Sequence, residues 1–85
     1  MRLVKIMKTV CPQCTLLDIL LKSGGITVDE VHNVDHEPGI IEKYNIMGTP
    51  TLLFLDDDGN ELERIVGTRN VSPEVIEAKI AKWSQ

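Results

Sequence analysis

Residues 10–17 read VCPQCTLL and contain both cysteines of this 85-residue chain. The preceding run LVKIM, residues 3–7, is short and apolar and predicts a β-strand. From Pro12 onward the leucines recur at helical spacing, and Gly24-Gly25 supplies a stop signal. Those leucines are Leu16, Leu17, Leu20 and Leu21. The quoted stretch therefore marks the junction between a strand and a helix, and the cysteine pair lies at that junction.

The remainder of the chain predicts three more strands and two more helices. In chain order they are a strand at 26–34, a helix at 38–45, strands at 51–55 and 61–66, and a helix that begins at Pro73 behind the capping residue Ser72. A strand–helix–strand opening implies a right-handed parallel crossover, and the turn DDDGN at 56–60 closes an antiparallel hairpin. We expect an α/β fold of order β-α-β-α-β-β-α, with helices on both faces of a four-stranded mixed sheet.

The composition is that of an ordinary globular protein, with 42% hydrophobic and 26% charged residues. A net charge of -4 disfavours nucleic acid and anionic membrane as partners. No apolar run approaches the roughly 18 residues of a membrane span, and the first ten residues, MRLVKIMKTV, do not fit a secretory signal. We therefore expect one domain over residues 1–85 that acts as a monomer in the cytoplasm, where thiols are usually kept reduced.

Cys11 is the candidate nucleophile. Pro12 lacks an N–H and has a fixed φ, so it fits the first position of a helix, which makes Cys11 the N-cap. The unpaired N–H groups of the first turn and the helix dipole then stabilise a negative charge on its sulfur. Such positions lower a thiol pKa from about 8.5 to about 3.5–7.5, and the thiolate is the form that attacks disulfides.

Cys14 is the candidate resolving sulfur. It lies three positions after Cys11 and shares a helix face with Leu17 and Leu21, so we expect it to point inward. From there it could attack a mixed disulfide formed at Cys11 and release the reduced partner. An inert buried cysteine is an alternative that fits Cys14 alone but not Cys11 with Pro12 behind it.

A second motif, GTPT at residues 48–51, stands immediately before the apolar strand TLLFL. A proline at the mouth of a buried strand must occupy its first position, where the missing donor costs no ladder bond. With this motif, the CPQC motif and the element order, the chain resembles a small member of the thioredoxin superfamily. The similarity covers essentially all of the chain, including NVDHEPG at 33–39 and KYNIMGTP at 43–50.

The resemblance implies a thiol–disulfide oxidoreductase that reduces protein disulfides and needs no bound cofactor. Cys11 would attack, Cys14 would resolve the mixed disulfide, and a separate reductase would restore the dithiol. The family also implies a cis peptide bond at Thr49–Pro50 beside the sulfurs, with the backbone of Thr49 offered to an extended substrate segment. The expected substrate-binding rim consists of Val10, Pro12, Gln13, Met47, Thr49, Pro50 and Gly67.

The chain departs from thioredoxins in three ways. Only ten residues precede Cys11, so we expect the extra N-terminal strand and helix to be absent and the protein to be glutaredoxin-sized. Val10 stands where thioredoxins have tryptophan. Lys5 stands where they have a buried acid, so water or the sulfur of Cys11 must assist deprotonation of Cys14. We expect Lys5 to be solvated at a strand edge; the alternative is that its charge favours a thiolate.

Two other functions fit parts of the sequence. Glutaredoxins share the length and the CPxC motif, but they usually carry Tyr or Phe where this chain has Gln13, and a Gly-Gly pair where it has Gly67-Thr68. A Cys2His2 zinc module would combine Cys11 and Cys14 with His32 and His36. Seventeen residues separate the second cysteine from the first histidine, against about twelve in zinc fingers. The histidines also fall in a strand and a turn, so we expect no metal.

Overall fold

The computed structural model describes the whole chain, Met1–Gln85, as four strands and three helices. They are β1 (Arg2–Met7), α1 (Pro12–Ser23), β2 (Glu30–Asn33), α2 (Gly39–Lys43), β3 (Thr51–Leu55), β4 (Glu61–Val66) and α3 (Pro73–Trp83). This order confirms the predicted β-α-β-α-β-β-α arrangement. None of the three helices combines the length and apolarity needed to cross a membrane.

The four strands form one mixed sheet in the order β2-β1-β3-β4. β1 and β2 are parallel, whereas β1–β3 and β3–β4 are antiparallel pairs. The central position of β3 explains why its sequence is a continuous apolar run: all five of its residues are buried, as strands covered on both faces require. The predicted mixed sheet and closing hairpin are confirmed.

The sheet is covered by helices on both faces, as predicted. Leu17 and Leu21 of α1 and Ile76 of α3 pack on one face, which we call the α1 face, together with Leu3, Leu52 and Phe54 of the sheet. Ile40 of α2 packs on the other, the α2 face, together with Val4, Ile6, Leu53 and Leu55. The two clusters alternate along β1 and β3 because successive strand side chains point to opposite faces.

Two elements are shorter than predicted. β2 spans four residues rather than the whole of 26–34, because Gly25 at φ +65° ends α1 in a turn and the N–H of Ile26 donates to the carbonyl of Leu21 at 2.8 Å. Ile26 and Val28 pack on the α1 face as a connecting segment instead. α2 ends before Asn45, which adopts φ +50°. In both cases a left-handed residue ends the helix, as is common at helix C-termini.

The prediction that Lys5 is solvated at a strand edge is wrong. Because the crossover through α1 places β2 outside β1, β1 lies between β2 and β3. Lys5 is consequently only 7% exposed, and its ammonium group forms an ion pair with Asp18 of α1.

Candidate active site

The two cysteines lie at the start of α1 in the predicted positions. Cys11 is the N-cap, with extended backbone at φ -154° and ψ 91°, and Pro12 occupies the first helical turn. The sulfur of Cys11 accepts a hydrogen bond from the N–H of Cys14 at 3.1 Å. The backbone carbonyl of Cys11 accepts hydrogen bonds from the N–H groups of Cys14 and Thr15. A side chain that accepts an N–H of the first turn satisfies a donor that the helix itself leaves unpaired.

The cysteines are joined by a disulfide bond, with an S–S distance of 2.08 Å and a Cα–Cα distance of 5.2 Å. Cys14 is 3% exposed and Cys11 9% exposed. Cys14 shares the buried face of α1 with Leu17 and Leu21, as predicted. The pair can therefore close into a disulfide while the helix stays intact, which a reversible dithiol–disulfide couple needs.

The GTPT loop faces the sulfurs. The hydroxyl oxygen of Thr49 lies 3.8 Å from the sulfur of Cys11, and the Thr49–Pro50 peptide bond is cis. The hydroxyl of Thr51 donates to the carbonyl of Gly48 at 2.6 Å and so fastens the loop to the start of β3. Neither the N–H nor the C=O of Thr49 takes part in a backbone hydrogen bond, which leaves both groups available at the site.

A third loop, after β4, completes the site. Gly67 donates its N–H to the carbonyl of Pro50 at 2.8 Å and has φ +77°. The hydroxyl of Thr68 donates to the side-chain oxygen of Gln13 at 3.4 Å. A Cβ atom on Gly67 would lie 3.3 Å from that same oxygen. The motif residue Gln13 is thus held against the loop that follows β4.

The predicted rim is exposed in most of its members. Val10 and Met47 are each 80% exposed, Pro12 and Gln13 are exposed, and Thr49 and Gly67 are partly buried. Pro50 differs from the other predicted rim residues in its exposure. Its side chain is fully buried, because it leads directly into the central strand β3, which is covered on both faces.

Sequence analysis missed Asp18. It is four residues after Cys14 on α1, and its carboxylate bonds the buried ammonium group of Lys5. Both side chains line a cavity of about 420 Å³ that opens to solvent and is bordered by the loop 25–28. The available signal was the i, i+4 spacing from Cys14 to an acid, combined with a lysine inside an apolar strand.

The histidines contact acidic side chains. The Nδ1 atom of His32 lies 3.0 Å from a carboxylate oxygen of Glu37. Its Nε2 atom lies 3.2 Å from a carboxylate oxygen of Glu30. Partial burial alone would lower the pKa of His32, but the hydrogen bonds to Glu37 and Glu30 outweigh it and raise the pKa above its usual value. His36 lies exposed in the turn after β2. The structure contains no group of three or more His, Cys, Asp or Glu side chains suited to a metal ion.

No protein-family model matches the sequence. The chain is 33% identical over 67 residues to the SPbeta prophage-derived thioredoxin-like protein YosR of Bacillus subtilis, an overlap of 79% of this chain and 82% of the relative. Among solved structures, it is similar to the reduced thioredoxin pre-protein of Schistosoma mansoni. That match has a TM-score of 0.73 and 28% identity, and covers 94% of this chain and 75% of the other.

A mutant thioredoxin from Halobacterium salinarum superposes with a TM-score of 0.80. The alignment covers 98% of this chain and 74% of the other at 21% identity. At that identity the likeness concerns the fold alone. The similarity to YosR is consistent with the sheet order and with the position of the cysteine pair at the start of α1.

Proposed function

The chain belongs to the thioredoxin superfamily and is a thiol–disulfide oxidoreductase, and on that premise we propose that it reduces protein disulfides with Cys11 as the attacking sulfur and Cys14 as the resolving one. The observation that carries this assignment is the hydrogen bond from the N–H of Cys14 to the sulfur of Cys11. That donor and the dipole of α1 act on Cys11 and favour its thiolate in the reduced protein.

Substrate binding is assigned to the surface around Cys11. The unpaired backbone N–H and C=O of Thr49 suit an extended substrate segment, which would add to the site as a further strand does to a sheet edge. Val10 precedes Cys11 and Met47 lies two residues before Thr49; both are exposed apolar side chains, and a methionine adapts well to varied partners. Gln13 and Gly67, which lie against each other, complete the proposed surface. Pro50, whose side chain is buried, follows Thr49 and belongs to the same proposed surface.

The reaction transfers two electrons from the dithiol to the substrate. The Cys11 thiolate attacks one sulfur of the substrate disulfide, a mixed disulfide forms, and the other substrate sulfur leaves as a thiolate that takes a proton from water. The thiol of Cys14 then loses its proton and attacks the sulfur of Cys11. The Cys11–Cys14 disulfide forms, the bond from Cys11 to the substrate breaks, and the second substrate thiol leaves.

A separate reductase returns the disulfide to the dithiol, so no bound cofactor is needed. We further propose that the protein works as a monomer in a reducing compartment such as the cytoplasm, where a reductant is supplied continuously. Disulfide-containing proteins are its substrates.

The test compares two substrates and two variants. The wild-type dithiol should reduce insulin faster than it reduces a glutathione mixed disulfide. Cys14→Ser should accumulate a covalent mixed disulfide with the substrate, because its attacking sulfur is intact and its resolving sulfur is missing. Cys11→Ser, the matched control, should accumulate none. Activity confined to the glutathione mixed disulfide, or trapping through Cys14 rather than Cys11, would refute the assignment.

A further inference from the structure

Lys5 has no part in the steps above, yet it is the sole charged residue among the sixteen buried residues of the molecule. It lies in the central strand β1, between Val4 and Ile6, which are both buried. An apolar side chain would fit this position, and a buried charge is unfavourable unless it is paired. A lysine at this position therefore requires a favourable interaction of its ammonium group.

The ammonium group contacts α1 one turn beyond the resolving sulfur. Alternation along β1 directs Lys5 to the α1 face, where its Nζ contacts a carboxylate oxygen of Asp18. Asp18 follows Cys14 by four residues, and residues at this spacing are neighbours on one helix face, about 5–6 Å apart at Cβ. Cys14 is itself buried on the inner side of α1. Lys5 and Cys14 are thus both buried on the α1 face, and the carboxylate that contacts Lys5 lies one helical turn after Cys14.

The two charges of the pair are screened unequally. The side chain of Lys5 is 9% exposed and that of Asp18 is 52% exposed, so water weakens the field of the carboxylate more than that of the ammonium group. Lys22 is the remaining charged residue that lines the same cavity, and it is exposed. The neighbours of Lys5 across the sheet, Val31 and Leu52, are uncharged. Lys5 therefore carries the less screened charge of the pair, and it is the charge on the inner side of α1.

We propose that Lys5 is a positioning residue for the resolving step, whose buried ammonium group stabilises the thiolate of Cys14 as that sulfur attacks the mixed disulfide at Cys11. This role presupposes the proposed function and concerns its second half. The thiol of Cys14 gives its proton to solvent. The electron pair of the Cys14 thiolate forms the new S–S bond, and the substrate sulfur leaves Cys11 with the pair of the broken bond.

The experiment separates the two halves of the reaction with the aromatic disulfide dithiobis(nitrobenzoate). Its first coloured thiolate is released when Cys11 attacks, and its second when Cys14 resolves the adduct. In Lys5→Met the first release should keep its rate. The second should slow by about three- to tenfold near pH 7. A nearby cation lowers the pKa of a thiol by about one unit or more, so its removal leaves less thiolate. The greater nucleophilicity of the more basic thiolate recovers part of the lost rate.

The pH profile distinguishes this electrostatic role from a purely structural one. The deficit of Lys5→Met should vanish as the pH rises to about 10, where Cys14 ionises without help. Lys22→Met, the matched control from the exposed side of the cavity, should leave both rates unchanged. Asp18→Asn should resolve as fast as the wild type or faster, because the ammonium group loses its counter-charge.

Two results would overturn the proposal. One is an unchanged second release in Lys5→Met across the pH range; the other is a slowed second release in Asp18→Asn with Lys5→Met unaffected, which would make Asp18 the proton acceptor. Should circular dichroism show Lys5→Met to be unfolded, Lys5→Gln provides the same test, since its amide can still bond Asp18 without a charge. Failure of the proposed function is distinct, because the wild type itself would then not reduce insulin.

Discussion

The two faces of the sheet are built from the same strands but differ in chemistry. On the α2 face the buried side chains of the sheet and of α2 are uncharged: an aliphatic cluster and, by the alternation along β3, Thr51. On the α1 face the larger cluster is interrupted by Lys5, and the helix above it begins with the two sulfurs. The difference indicates that the α2 face supplies stability alone, whereas the α1 face combines stability with the groups that govern the redox reaction.

Leu52 and Leu53 test this division most strongly, because they are adjacent in β3, equally buried, and on opposite faces. Leu52→Ala and Leu53→Ala should each lower the free energy of unfolding by about 2–5 kcal/mol through lost burial and an unfilled cavity. Only Leu52→Ala should also change the rate at which Cys14 resolves a mixed disulfide, since Leu52 is the cross-strand neighbour of Lys5.

Urea unfolding of the reduced proteins measures the first effect, and the second thiolate release from dithiobis(nitrobenzoate) measures the other. The division between the faces fails if Leu53→Ala alters the resolving rate as much as Leu52→Ala does.

A glycine pair gives a smaller effect. Gly67, beside Gln13, has φ +77°, and an alanine there would cost about 1–2 kcal/mol and press on the Gln13 side chain. Gly67→Ala should therefore destabilise the protein and raise its KM for insulin. Gly39→Ala, in α2, meets no atom within 4 Å and should leave KM unchanged and stability equal or higher. A KM that is the same in both variants would remove Gly67 from the substrate-binding surface.

The edge strand β2 provides the smallest effect, since His32 belongs to neither cluster. Because its pKa is raised by Glu37 and Glu30 despite partial burial, its stabilising contribution is complete below about pH 6.5 and is lost as the pH rises through the folded-state pKa. His32→Gln should lower the free energy of unfolding by less than about 1 kcal/mol near pH 5.5 and by nothing near pH 8.5.

Glu37→Gln removes the carboxylate that contacts His32. This variant should lose part of the pH-dependent contribution of His32 to the free energy of unfolding. Urea unfolding at the two pH values checks both variants. A larger loss at the higher pH would reverse the assigned direction of the His32 shift.

Local signals in the sequence predicted much of the fold and of the candidate site. The Cys11–Pro12 and Ser72–Pro73 pairs identified the starts of α1 and α3 correctly, because capping depends on hydrogen bonds within one turn. The run TLLFL identified the buried strand β3 correctly because burial on both faces demands apolar residues throughout. Both signals lie within a few consecutive residues.

The wrong or missing predictions concern features that depend on distant parts of the chain. Whether Lys5 lies at an edge is decided by the position of β2 outside β1, and no pattern within β1 reports that position. The burial of Pro50 likewise follows from the central place of β3 in the sheet. The shortened β2 reflects the turn at Gly25, where the chain packs Ile26 on the α1 face instead of continuing a ladder.

The most direct test of the site is the ionisation of the Cys11 thiol at the start of α1. In Cys14→Ser, where Cys11 is the only thiol, ultraviolet absorbance of the thiolate can be followed against pH in the folded protein and again in concentrated urea, where α1 is absent. We expect the folded protein to form the thiolate at least about one pH unit below the denatured one, whose midpoint should lie near 8.5. Equal midpoints, or a higher one in the folded protein, would contradict the assignment of Cys11 as the attacking sulfur.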